Sequence, residues 1–154
     1  MVRVTLFRAF FRLSALCAVF LLQACALAAE PAPDAGADPT ELLGGVLATF
    51  DVADERFRIW VTNPETIEQI LDVYYGEVSG TFPSGRIVRG PGLAGHNAPW
   101  NWHLDPEDVA MVANAPESCD GLPSYVEANR TLFLDQIGRY CPRSAILVGV
   151  QDLR

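Results

Sequence analysis

Arg56-Phe57-Arg58-Ile59-Trp60-Val61 runs directly into Thr62-Asn63-Pro64-Glu65-Thr66-Ile67-Glu68-Gln69-Ile70-Leu71, and the apolar period changes between the two segments. In the first segment Phe57, Ile59 and Val61 alternate with Arg56, Arg58 and Trp60, the pattern of a strand with one buried side. In the second, Ile67, Ile70, Leu71 and Tyr74 recur at helical spacing and predict the core face of a helix. Thr62 or Asn63 can cap that helix, Pro64 suits its first turn, and Glu65 and Glu68 favour its positive end. Gly76 stops it.

Downstream, Pro83-Ser84-Gly85 reads as a turn and Arg86 to Arg89 as a short strand. Gly90 to Pro99 is a loop with three glycines and two prolines. Trp100 to Leu104 alternates again, with Trp100, Trp102 and Leu104 on one face and Asn101, His103 and Asp105 on the other. Asp105-Pro106-Glu107-Asp108 carries turn chemistry, so Val109 to Ala113 is expected to return as the partner strand of a hairpin. The same acids could instead open a helix capped by Asp105. Pro116 to Asn129 reads as helical with a break near Gly121-Leu122-Pro123, Leu132 to Ile137 fits either state, and Ala145 to Val150 is an apolar closing strand. Strands and helices segregate, which predicts an α+β fold: a small, mainly antiparallel sheet packed with two helices.

Upstream of residue 50 the composition changes. Leu13 to Leu22 is an apolar run of about ten residues, roughly 15 Å as a helix, preceded by Arg3, Arg8 and Arg12. That is about half of a membrane span and has the layout of a secretion signal. Leu22-Gln23-Ala24-Cys25 resembles a lipobox, so residues 1–24 are expected to be removed and Cys25 to carry lipid. Cleavage before Ala29, after Ala26-Leu27-Ala28, is the competing reading and would release a soluble secreted domain. Residues 25–49 suit an acidic Ala/Pro-rich tether, extended at about 3 Å per residue, although Glu41 to Phe50 is apolar enough to dock or to lead into a first strand. Residues 50–154 then make a single domain. The address expected is a bacterial cell envelope, anchored by lipid at the outer membrane with the domain in the periplasm.

Of four cysteines, Cys17 and Cys25 belong to the signal and the anchor. Cys119 and Cys141 remain, one pair in an oxidising space, and a disulfide between them is expected. Neither has the Cys-x-x-Cys spacing of a metal or redox site. The chain has no lysine, and loss of the signal leaves 8 arginines against 19 acids, a net charge of about −11. Such a domain is repelled by nucleic acid, which argues against DNA or RNA as a partner.

The richest stretch is His96-Asn97-Ala98-Pro99-Trp100-Asn101-Trp102-His103-Leu104-Asp105-Pro106. With Ser79-Gly80-Thr81, Ile87-Val88-Arg89-Gly90-Pro91, Cys119-Asp120 and Tyr140-Cys141-Pro142, it resembles a family of small secreted domains. That family is named after the N-terminal domain of an amoebal calmodulin-binding protein, and the likeness spans roughly Phe57 to Val150. It implies a compact α+β domain with a disulfide, often exported, and no biochemical role. Calmodulin binding does not carry over, because no motif for it is present.

His103 could serve as a general base or metal ligand, with Asp105 or Asp120 orienting its other ring nitrogen, or it could simply hydrogen-bond. Trp100 and Trp102 could be core or an exposed platform for sugar or peptide. His96, Trp100, Asn101, His103 and Asp105 are therefore the candidate binding residues. Asp105, Glu107 and Asp108 lack the calcium-loop pattern, and Gly-x-Ser-x-Gly, the P-loop and His-Glu-x-x-His are absent. No cofactor, metal site or catalytic residue is assigned. The function expected is a non-catalytic envelope lipoprotein binding a protein, peptide or glycan; the alternative is a small hydrolase or metal-dependent enzyme centred on His103.

Overall fold

The computed structural model describes residues 41–154. The signal, both cleavage sites, the lipidation site Cys25 and the tether up to residue 40 lie outside the described residues. In chain order the elements are β1 (Val46–Val52), β2 (Glu55–Val61), α1 (Pro64–Tyr74), β3 (Phe82–Arg89), β4 (Trp102–Leu104), β5 (Ala110–Val112), α2 (Pro123–Ala128), β6 (Arg139–Tyr140) and β7 (Ile146–Asp152). Short 3-10 turns occupy Leu93–Gly95 and Glu117–Cys119, and a π-helical turn occupies Phe133–Ile137.

The fold is α+β, with two antiparallel sheets in place of the single one expected. The first has the order β2-β1-β7. Its centre, β1, starts inside the segment expected to be tether, so the first sheet begins before residue 50. Ala53-Asp54 closes the β1–β2 hairpin between Val52 and Glu55, with Ala53 at φ 54°. The predicted alternation holds on β2: Phe57, Ile59 and Val61 are buried. Trp60, on the opposite face, is buried as well, packed with Leu42 and Leu47.

Helix α1 starts where its cap requires. The Asn63 carboxamide oxygen accepts from the amides of Glu65 (2.9 Å) and Thr66 (3.3 Å), and Pro64 occupies the first turn. Ile67 and Ile70 are buried in the core. Tyr74, expected on the same face, is 48% exposed because it is the last residue of the helix and has outrun the core beneath it.

The second sheet is organised on β3, which takes three short partners in succession. Phe82–Ser84 pairs with β5, Gly85 and Arg86 with β6, and Ile87–Arg89 with β4. Two expectations change here. Pro83-Ser84-Gly85 lies within the strand and makes no turn. Gly85 answers to packing, since a Cβ there would stand 3.2–3.3 Å from Val109 Cγ2 and Leu104. Residues 110–112 do form a strand, but β4 and β5 pair with β3 and not with each other. The Asp105 amide donates to the Arg86 carbonyl (2.9 Å), and Asp108 Oδ2 accepts from the Arg86 amide (2.7 Å). Residues 105–109 thus bulge across β3, and the chain continues along it.

Both sheets, α1 and α2 share one core. Phe57 lies at its centre, 5.6 Å from Phe50, 5.5 Å from Tyr140 and 6.1 Å from Trp102, ring centre to ring centre. Offset and edge-on aromatic contacts of this kind add about 1 kcal/mol each beyond their area. Cys119 and Cys141 are buried and form the expected disulfide, with Cα atoms 5.3 Å apart.

Candidate functional site

The signature stretch forms a joint between the two sheets. β2 is an edge strand, and its outward main-chain groups are met by side chains from the loop after β3. Asn97 Oδ1 accepts from the Arg58 amide (2.8 Å), and Trp100 Nε1 donates to the Arg56 carbonyl (2.8 Å). Asn97 Nδ2 donates to the Trp102 carbonyl on β4 (2.8 Å), and the Arg58 guanidinium donates to the Ala98 carbonyl (3.3 Å). Asn97 is 1% exposed, so both of its bonds are made away from water. In the sequence Asn97 is one more loop residue. Only its place among three glycines and two prolines hints that something must anchor so permissive a segment.

His96 is completely buried. Its Nδ1 lies 3.1 Å from the Leu93 carbonyl, and among the described residues Nε2 has no hydrogen-bond partner. Its ring lies over Gly92, where φ is 82° and a Cβ would collide with Cε1. Burial lowers the His96 pKa to about 4; the Leu93 carbonyl opposes this, and His103 and Arg58 add to it. A neutral, enclosed ring presents nothing to a ligand.

His103 is half-buried, with Nδ1 2.8 Å from the Gly90 carbonyl. Neither expected acid partner is bonded to it. Asp105 accepts from the Glu107 amide (3.1 Å) and pairs with Arg86, and its pKa is lowered first by the Glu107 amide and then by Arg86, against the cost of burial. Asp120 Oδ1 accepts from the amides of Gly121 (2.8 Å) and Arg143 (3.0 Å). Among the described residues no three His, Cys, Asp or Glu side chains converge on a point suited to a metal ion. Trp102 is fully buried and Trp100 half-buried, their rings stacked at 6.4 Å, so the pair belongs to the core and its margin.

Asn101 faces outward. Glu127 of α2 receives its amide (2.9 Å) and its carboxamide (3.0 Å), and also pairs with Arg130 (3.3 Å). These residues border a shallow cleft of about 330 Å³ lined by Arg89, Gly90, Asn101, Arg130, Thr131 and Leu134. Arg89 is held by Asp135 (2.9 Å). Of the candidate binding residues, Asn101 lines this cleft, and His103 touches its wall through Gly90. His96 and Asp105 are engaged elsewhere. Glu127, Arg130 and Arg89 have no signal in the sequence, because exposed charges in a helix and at a strand end carry no pattern.

The model of one protein family, described as the BP-74 N-terminal domain, matches residues 46–153. It is the family that the signature stretch resembles. No curated protein and no solved structure matches the chain.

Proposed function

Since the chain belongs to this family of calmodulin-binding-protein N-terminal domains, we propose that it is an exported cell-envelope lipoprotein whose domain is a non-catalytic binding module for a protein, peptide or glycan. The supporting observation is how the signature residues are used. His96, Asn97, Trp100 and Trp102 are committed to the joint between the sheets. The side chains left facing solvent beside it, Asn101, Arg89 and Arg130, border an open polar cleft without an acid–base pair on a histidine. Such a cleft offers oriented donors and acceptors, which suits recognition of a polar ligand. Lipid on Cys25 would hold the domain at the membrane, and a Pro-rich tether would set it at a distance.

A photo-crosslinking residue placed at Thr131, in intact envelopes, should retrieve one specific partner. Arg130→Ala should abolish that capture in a domain that still unfolds cooperatively. Capture that is indifferent to position and to Arg130 would refute the binding reading. Stoichiometric metal lost on His103→Ala would replace it with the metalloenzyme alternative. Mass analysis of the processed N-terminus tests the anchor separately: lipidated Cys25 is expected, and a free Ala29 would remove it.

A further inference from the structure

The two edges of the first sheet are finished differently. Asn97, Trp100 and Ala98 cover β2. β7, at the other edge, pairs with β1 alone among the described residues. It carries Ile146 at 66% and Val148 at 45% exposure. Natural edge strands are protected by lysine, proline or charge, and Ser144 to Gln151 contains none of these. The run is uncharged throughout and is bracketed by Arg143 at its start and Asp152 at its end.

We propose that β7 is the two-fold interface through which two copies of this chain join, antiparallel, into one continuous sheet. The charge order points to a second copy as occupant. An antiparallel twin brings Arg143 of each copy toward Asp152 of the other, whereas a parallel arrangement would align like charges. Arg143 is available for this, since its pair with Glu117 is long (3.6 Å) and Glu117 is 92% exposed. Asp152 is held by Arg154 of its own chain (2.6 Å), an exposed pair that leaves it open to a second cation. In the register centred on Leu147, Ile146 of each copy opposes Val148 of the other, and the exposed apolar side chains form one stripe. A two-fold axis requires such a self-complementary strand. The chain's own tether is a poor substitute, because Pro31, Pro33 and Pro39 have no amide to donate.

Sedimentation equilibrium of the purified processed protein over a concentration series tests the pairing. A reversible dimer is expected, and Val148→Lys should weaken it roughly tenfold or more by placing a charge within the apolar stripe. In parallel, hydrogen exchange at the amides of residues 146–150 should slow with concentration in the wild type and not in the variant. Ile146→Lys, also at an exposed position, gives a second variant should the first lower the thermal midpoint. A wild type that stays monomeric throughout overturns the proposal. So does a dimer indifferent to both lysines, or a monomeric chain whose β7 is occupied by another protein's peptide.

Discussion

Replacing Asn97 with alanine would leave the Arg58 amide and the Trp102 carbonyl without their partners in a site closed to water. Each buried orphan costs about 1–3 kcal/mol, so Asn97→Ala should lower unfolding stability by roughly 2–5 kcal/mol in a urea titration. Its neighbour His96 sets an acid limit. The unfolded chain takes up a proton near the ordinary value of 6.5, the folded chain only near 4. Stability from this ring is therefore complete above pH 6.5 and falls as the pH drops toward 4, by about 3 kcal/mol in all. His96→Phe should flatten the stability profile across that window and leave its shape unchanged above. Neither role was legible in the sequence. Asn and His in a Gly/Pro loop look like solvated turn residues, and what makes them structural is an edge strand almost forty positions earlier.

Among the elements, α1 was the most legible, because an Asn-Pro-Glu start and an isoleucine period act locally and need no partner to be recognised. β3 departs from its sequence pattern for the opposite reason. Pro-Ser-Gly marks a turn in most chains, and only the packing of Val109 and Leu104 against Gly85 shows that the glycine is there for closeness. The expected β4–β5 hairpin does not form because the Asp108 carboxylate bonds to the Arg86 amide and to Arg139 (2.8 Å), fixing the bulge to β3. Asp108→Ala should therefore cost about 1–3 kcal/mol and loosen β5, seen as faster amide exchange at 110–112. The β1–β2 turn holds an improvable position. Ala53 sits at φ 54°, a conformation costing an ordinary residue about 1 kcal/mol, so Ala53→Gly should be neutral or raise the thermal midpoint.

For the molecule as a whole, the cysteine arithmetic identified the one covalent closure seen among the described residues, because discarding the leader left a single pair. Reduction should destabilise the domain by about 3 kcal/mol in the chain-entropy model, for a separation of 22 residues. A reductant series followed by thermal unfolding measures it. The α+β class was readable from segregated patterns, while the division into two sheets depends on a strand hidden in apparent tether and on partners distant in sequence. That distribution of partners also governs how the domain can be made. The central residues of β3 wait for Arg139 and Tyr140, and β1 waits for Ile146 to Asp152 on its far side. A nascent chain threaded out amino end first therefore has nothing finished to fold until its last few residues emerge. Proteolysis of fragments cut short of residue 139 should find no resistant kernel, and maturation becomes a single late event.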